Sequence, residues 1–252
     1  MRKMDFNYSY QTNVGLIRSH NEDAVQIFEN QHVLLMVVAD GMGGHSAGDI
    51  ASKMAMDTFT KAFESTLSFT GQEEAGAWIS EILERINQDI LAYAKIHDVK
   101  KMGTTLVAAI ITKDFVTLAN IGDSRGYIVA YNELRQVTKD HTFVRRLVEE
   151  GQISERAAKL HPQKNLIINA LGTNPRLDFD LITIEQLDLQ MILLCTDGLT
   201  GMVEDKEILK LLQKHESIQK KVSDLIKKAN DSGGRDNISV AVVAFKEGSS
   251  LK

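Results

Sequence analysis

The chain contains two apolar runs that each end at an Asp-Gly pair, in VLLMVVADGMGG (33–44) and in MILLCTDGLTG (191–201). Runs of this length and composition are typical of strands that are buried on both faces. A carboxylate at the end of such a strand is costly to bury unless a cation or hydrogen bonds compensate its charge. We therefore predict that Asp40 and Asp197 are fixed anions at strand ends, placed there to hold a metal ion.

Several segments have the length and apolar pattern of strands. Two of them, Thr104–Ile111 and Val116–Ile121, are joined by a connection too short for a crossover helix, which predicts an antiparallel hairpin. The sheet is therefore not purely parallel. The predicted strands are Phe6–Gln11, His32–Ala39, Thr104–Thr112, Phe115–Ile121, Gly126–Tyr131, Leu177–Ile184, Met191–Thr196 and Ile238–Phe245.

Four segments have the spacing of helices that bury one face. Apolar residues recur with the 3.6-residue period over Glu74–Tyr93 and over Ala47–Ala62, and helices are also predicted at Lys206–Lys214 and Ser217–Ala229. Helices that alternate with hairpin-paired strands predict an α+β fold, with sheets packed on each other and helices outside.

Length and charge limit the classes of protein that fit. A chain of 252 residues with 43% apolar residues can bury one large core, so we expect a single domain over residues 1–252. The formal net charge is −5, and Lys and Arg are scattered along the chain. This distribution argues against a nucleic acid partner.

Cysteine content and hydropathy indicate the compartment. Cys195 is the one cysteine, which excludes an intrachain disulfide and is most simply a small buried apolar residue. The first ten residues, MRKMDFNYSY, do not resemble a signal peptide, and no apolar run reaches the roughly 18 residues that span a bilayer. We expect a cytoplasmic protein without membrane insertion.

The segment at about 141–172 has a looser pattern. Charged residues cluster there, His161-Pro162 interrupts any helix, and no clean strand is recognisable. We predict a flap next to a functional site, because long irregular excursions of this kind commonly carry function.

Acidic residues follow strands or stand in glycine-rich turns at five places. Each alone is best explained as a turn or cap residue, since Asp-Gly and Gly-Asp are common turn pairs. Together they would repel one another strongly unless a divalent cation were bound. Oxygen ligands without a zinc-like Cys or His spacing favour Mg²⁺ or Mn²⁺. The residues are Asp23, Asp40, Asp123, Asp197 and Asp236.

Two such ions would suit hydrolysis at phosphorus. Ions about 4 Å apart can share a water, lower its pKa and present it for in-line attack. The absence of a side chain at Gly41 lets its carbonyl approach a cation closely. Arg18 is a candidate for neutralising the phosphate through its guanidinium.

Short motifs follow one another in a fixed order along most of the chain. They are TNVGLIR (12–18), NED (21–23), DGMGGH (40–45), GTT (103–105), GDSR (122–125), TDG (196–198) and GGRDN (233–237). In this ordered set the chain resembles the metal-dependent serine/threonine protein phosphatases, the PPM or type 2C family, in their short bacterial form. The resemblance implies a four-layer α-β-β-α sandwich of two mostly antiparallel sheets, packed face to face with helices outside.

The resemblance also implies a role for each site residue. Asp40 would bridge two ions, with the Gly41 carbonyl on one ion and with Asp197 and Asp236 on the other. Asp23 would hold metal-bound water, and Asp123 with Asp197 would form a weaker third site. In addition, Arg18 would bind the substrate phosphate, and Asn237 would orient Asp236 or a water.

One departure from the family pattern leaves the general acid open. Eukaryotic relatives carry a histidine directly after the Asp-Gly pair, where this chain has Met42. His45 and His161 are alternatives, each also explained by packing or surface solvation, and a metal-bound water is a third. We leave the proton donor unassigned.

Three functions are consistent with these residues. The first is a phosphatase acting on phosphoserine and phosphothreonine proteins, expected to be monomeric and to oppose a cognate Ser/Thr kinase. The second is a catalytically silent relative that binds phosphoproteins, although no expected carboxylate is missing. The third is a different two-metal hydrolase, disfavoured because no basic groove or histidine-rich ligand set is evident.

Overall fold

The computed structural model describes residues 6–44, 47–185 and 189–245. The strands are β1 (Phe6–Asn13), β2 (Asp23–Glu29), β3 (Leu34–Gly43), β4 (Met102–Thr104), β5 (Leu106–Ile111), β6 (Phe115–Ile121), β7 (Arg125–Ala130), β8 (Glu133–Gln136), β9 (Asp180–Glu185), β10 (Leu189–Cys195) and β11 (Ile238–Phe245). The helices are α1 (Ala47–Glu64), α2 (Gln72–Ile96), α3 (Phe143–Glu149), α4 (Glu155–Leu160), α5 (Asp197–Thr200), α6 (Asp205–Leu212) and α7 (Ile218–Asp231).

The strands form two antiparallel sheets. In the first sheet the order is β1-β11-β10-β7-β8, and in the second it is β2-β3-β5-β6-β9, with β4 paired to the end of β3. The predicted hairpin is present as β5 and β6, in which Leu106 lies opposite Ile121. Pairs of consecutive strands, such as β2–β3, β5–β6, β7–β8 and β10–β11, are combined with pairs that are distant in sequence, such as β1–β11 and β6–β9.

The two sheets pack face to face, and helices cover both outer faces. Alternate residues of β3 show this directly, because Met36 and Val38 join the core between the sheets while Leu35 and Val37 join the core beneath α1 and α2. A third core joins the first sheet to α5, α6 and α7. The predicted four-layer α+β sandwich is confirmed. Within the described residues, no helix is long and apolar enough to cross a membrane.

The two Asp-Gly pairs differ in their local structure. Strand β3 does not end at Asp40, since Gly41 and Gly43 continue it by pairing with Thr104 and Met102 of β4. By contrast, β10 ends at Cys195, and Asp197 is the first residue of the short helix α5. The prediction that both aspartates stand where a strand ends is therefore wrong for Asp40, which lies inside a strand.

Three strands were not predicted from the sequence: β2, β8 and the three-residue strand β4. Strand β2 (DAVQIFE) is mostly half-buried and lacks the continuous apolar run that marks its neighbour β3. Strand β8 has only four residues and alternates between exposed and half-buried positions at an edge of the first sheet. Such short or polar edge strands depend on the partner that they pair with, which a local pattern does not contain.

The segment predicted as a flap contains two short helices. Helix α3 begins after Thr142, whose side chain accepts a hydrogen bond from the Arg145 amide, and helix α4 begins after Ser154 in the same way. At one root the His141 amide donates to the Gly122 carbonyl (2.8 Å), and at the other Thr104 and Leu171 exchange two backbone bonds of 3.0 Å. Both roots of the segment are thus bonded to residues beside the acidic motifs.

Helix α1 packs unusually close to β3. A Cβ atom added at Gly48 would lie 2.7 Å from the Gly41 carbonyl carbon, and one added at Gly41 would lie 2.1 Å from the Gly48 oxygen. Contacts this short involve backbone atoms on both sides, so neither can be relieved by moving a side chain. The backbone next to Asp40 is therefore held by two glycines.

We predict that Gly48→Ala lowers the free energy of unfolding by about 1–3 kcal/mol, because the added methyl group must push α1 away from β3. Urea unfolding followed by circular dichroism would measure the change. The matched control is Gly76→Ala in α2, where a Cβ would meet only Leu181 at an ordinary 3.7 Å. This variant should gain about 0.5–1 kcal/mol from the better helix propensity of alanine. Equal effects of the two substitutions would contradict the close packing described here.

Candidate metal centre

Five carboxylates converge at one end of the sandwich from both sheets. Asp23 and Asp40 are direct cross-strand partners in the β2–β3 pair. Their side chains therefore lie on the same face of the sheet, with Cβ atoms about 5 Å apart. On the first sheet, Asp197 follows β10 and Asp236 comes just before β11. The fifth, Asp123, is in the turn between β6 and β7.

Asp40 lies at the centre of this group. Burial raises the pKa of Asp40 well above its usual range, and the charges of the other four carboxylates raise it further. The pKa of a carboxyl rises in this way when its charged form loses water and faces like charges. Asp40 is therefore the position at which a cation would relieve the most repulsion.

Asp23 bridges the two sheets. Its Oδ2 accepts a hydrogen bond of 2.9 Å from the Thr196 hydroxyl, while its buried Oδ1 has no partner among the described residues. Burial raises the pKa of Asp23 to about 7 despite the hydrogen bonds from Ser239 and Thr196 that lower it. Burying a carboxylate oxygen without a partner costs free energy. Oδ1 of Asp23 is therefore available to a cation or a hydrogen-bond donor from outside the chain, which would offset that cost.

Asp123 and Asp197 are perturbed in the same direction. Burial, followed by the charge of Asp197, raises the pKa of Asp123 to about 8, and Asp123 Oδ1 is also buried without a partner in the described structure. The pKa of Asp197 is raised to about 6 by burial and by Asp236, while Arg18 and a hydrogen bond with Asp40 lower it. Raised pKa values are thus shared by Asp23, Asp40, Asp123 and Asp197. Each of these carboxyls resists ionisation.

Asp236 differs because it contacts a positive charge. Its Oδ2 accepts a 2.8 Å hydrogen bond from Nη2 of Arg18, whose side chain is half exposed, and its Oδ1 accepts one from the Asn237 amide. The Asn237 side chain accepts from the Glu22 amide (2.8 Å) and donates to the His20 carbonyl (3.0 Å). Asn237 therefore positions Asp236 through its backbone and anchors the Arg18 loop through its side chain.

The donor set fits a hard divalent cation. All the converging groups are carboxylate oxygens, and two of the buried oxygens have no hydrogen-bond partner among the described residues. As placed, no three His, Cys, Asp or Glu side chains in residues 6–44, 47–185 and 189–245 stand close enough to enclose an ion. Support for a cation site therefore comes from the chemistry of the donors and from their buried oxygens that lack a partner among the described residues.

The sequence also indicates Gly41, His161 and His45 as candidate site residues. The absence of a side chain at Gly41 is explained by the contact with Gly48, in addition to any role for its carbonyl. His161 ends α4, and its ring lies 6.0 Å from that of Phe143. His45 is outside the described residues.

Sequence reasoning did not assign site roles to several hydroxyl groups. Thr196 bonds Asp23, and Thr105 bonds the Asp40 amide at 3.1 Å and the Ser124 hydroxyl at 2.7 Å. The position of each threonine within a motif, TDG or GTT, is a signal that could have indicated these roles. Their partners lie far away in sequence, so the contacts themselves depend on the fold.

Comparisons with known proteins agree with this geometry. The family model described as Protein phosphatase 2C matches residues 18–239. A protein from Listeria welshimeri named "Serine/threonine phosphatase stp" is 42% identical over 236 residues, which cover 93% of this chain and 94% of that protein.

Two solved structures are similar over nearly their whole length. Serine/threonine phosphatase Stp1 from Staphylococcus aureus gives a TM-score of 0.91 at 36% identity, covering 97% of this chain and 96% of that one. The catalytic domain of PstP in complex with two manganese ions gives 0.82 at 34% identity, covering 95% and 97%. With the family model matching most of the sequence, the chain belongs to the protein phosphatase 2C family.

Proposed function

We propose that the chain is a metal-dependent phosphatase that hydrolyses phosphoserine and phosphothreonine in proteins, using water as the direct nucleophile. The observation that carries this proposal is the convergence of five carboxylates, two of them with buried oxygens that lack a partner in the described structure, beside the half-exposed Arg18. The family and the named relatives support protein phosphatase activity.

We assign the residues to two ions of Mn²⁺ or Mg²⁺ and to a weaker third. Asp40 would hold both of the first two, the Gly41 carbonyl would add to one of them, and Asp197 and Asp236 would hold the other. Asp23 holds water of the same site, and Asp123 joins Asp197 at the third ion. Support comes from the mutual effects of these carboxyls on pKa and from the two manganese ions of the PstP complex.

When bound, the ions lower the pKa of a shared water so that it can attack phosphorus. The chain itself supplies charge and alignment. Arg18 is held near the carboxylates by its hydrogen bond to Asp236 and by the anchored loop that precedes Asp23. Its remaining guanidinium donors can bind two phosphate oxygens. Arg18 therefore holds the phosphoryl group against the carboxylate cluster and offsets its negative charge.

The cellular setting follows from the same proposal. Proteins that carry phosphoserine or phosphothreonine are the substrates, and a Ser/Thr kinase that makes them is the functional partner. We place the enzyme in the cytoplasm as a monomer, where kinase substrates are accessible. The names of the relatives, as serine/threonine phosphatases, support the substrate class.

We predict that Asp40→Asn lowers phosphate release by more than about 100-fold, because it removes the charge at the centre of the cluster while keeping the side-chain shape. Release from a phosphoserine peptide and from p-nitrophenyl phosphate with Mn²⁺ would be measured, with EDTA abolishing both. Asp57→Asn, at an exposed position of α1, is the matched control and should behave as the unchanged protein.

Other outcomes of the same assay identify other functions. Tight binding of the phosphopeptide without phosphate release would indicate a catalytically silent relative. Faster hydrolysis of a cyclic dinucleotide or of single-stranded DNA would indicate a different two-metal hydrolase. Full turnover by Asp40→Asn would show that the assignment of Asp40 to two ions is wrong.

We also predict that Mn²⁺ affinity increases by at least about 10-fold between pH 6 and pH 8, because protons compete with the ion for carboxyls whose pKa values are raised. The pKa values of Asp197, Asp23 and Asp123 are about 6, 7 and 8, so protons must leave across this window as the ion binds. Calorimetric titration in two buffers of different ionisation enthalpy would report both affinity and proton release.

A substitution of Asp123 tests which carboxyl causes the pH dependence at the upper end of this range. Asp123→Asn removes the carboxyl with a pKa of about 8 and should flatten the increase between about pH 7 and pH 8. Affinity that does not change with pH in the unchanged protein would refute the raised pKa values as a property of the metal site.

A further inference from the structure

A buried pair of hydroxyl groups joins the two parts of the chain that carry Asp40 and Asp123. Thr105, between β4 and β5, and Ser124, between Asp123 and β7, are both fully buried, and their hydroxyl oxygens are 2.7 Å apart. Both residues lie just outside the strands that they adjoin. The contact therefore connects a strand of the second sheet to the turn that leads into the first.

Thr105 makes two hydrogen bonds to the backbone of Asp40. Its amide donates to the Asp40 carbonyl at 2.9 Å, and its hydroxyl oxygen accepts from the Asp40 amide at 3.1 Å. The neighbouring Thr104 hydroxyl donates to the same carbonyl at 3.0 Å. Both backbone polar groups of Asp40 are thus satisfied through this threonine pair.

Thr105 also fixes the turn that carries Asp123. Gly122 has φ +103°, and a Cβ at this residue would lie 2.5 Å from the Cβ of Thr105, so the threonine side chain packs directly against the glycine. With the bond to Ser124, Thr105 therefore touches the residues on both sides of Asp123. One side chain sets the position of Asp40 relative to Asp123.

This neutral link suits a site of mutually repelling anions. The charge of Asp123 raises the pKa of Asp40, so the two carboxylates push each other apart when both are ionised. A cationic side chain would hold them together but would compete with a metal for the same charge. Hydroxyl groups that bond to the backbone restrain the spacing without neutralising either carboxylate.

We propose that Thr105 and Ser124 are positioning residues of the metal centre, which set the separation of Asp40 and Asp123 and thereby the affinity for divalent ions. The inference rests on the proposed metal centre. Two hydroxyl groups that bond to each other, one of them also to the Asp40 amide, thereby receive a functional part.

The test is calorimetric Mn²⁺ titration of Thr105→Val, which keeps the shape against Gly122 but removes the hydroxyl. Affinity should fall about 3- to 10-fold, as expected for the loss of buried hydrogen bonds. Thr105→Ser, which retains the hydroxyl, should recover most of the affinity. Ser124→Ala should show a smaller loss, since the Asp40 contacts remain.

Thr117→Val is the matched control. Thr117 is buried in β6 of the same sheet, but its hydroxyl oxygen has no partner among the described residues, so Mn²⁺ affinity should not change. The double variant of Thr105→Val and Ser124→Ala should bind no more weakly than Thr105→Val alone, because both substitutions remove the same bond.

Melting temperatures measured without metal distinguish a loss of positioning at the metal centre from a general loss of stability. Lower melting temperatures with unchanged Mn²⁺ affinity in Thr105→Val and Ser124→Ala would overturn the proposal, as would a full additive loss in the double variant. If Thr105→Val does not fold, Ser124→Ala and Thr105→Ser carry the test. Failure of the unchanged protein to bind Mn²⁺ would instead overturn the proposed metal centre itself.

Discussion

Repulsion among the buried carboxylates at one end of the sandwich is the constraint on which the rest of the structure depends. Four of them have raised pKa values, each mainly because of burial and also because of neighbouring carboxylates. A folded chain keeps such a group only if the surrounding packing is strong enough to hold it. The three hydrophobic cores, which fill the spaces between four layers, supply that packing.

The site is assembled from structures that are each rigid for a separate reason. Strand β3 is buried on both faces and is held against α1 by glycine contacts, so Asp40 has little freedom. Asp23 is tied across the sandwich to Thr196. Arg18 is on an exposed loop, yet Asn237 anchors that loop at three backbone groups, among them those of Val14 and Glu22. Arg18, the proposed phosphate ligand, is therefore held in place without being buried.

Part of this arrangement could be predicted from the sequence. Continuous apolar runs identified β3 and β10, and a short connection identified the β5–β6 hairpin, because these signals are local. The strands β2, β4 and β8 escaped prediction since they are short or half-polar and depend on their partners. For the site, positions after strands and in glycine-rich turns indicated the carboxylates, but no local pattern could reveal that Thr105 contacts both Asp40 and Ser124.

The order of strands in the first sheet has a consequence for synthesis. Strand β11 is later in sequence than every other described strand, yet it lies between β1 and β10. Until it emerges from the ribosome, β1 and β10 have unpaired inner edges, and Asp236 is not yet held in place. Nascent chains should therefore expose two sheet edges that invite aggregation, and chaperones that shield β-strands would bind there. The candidate metal centre is therefore complete only when β11, with Asp236 just before it, has joined the first sheet.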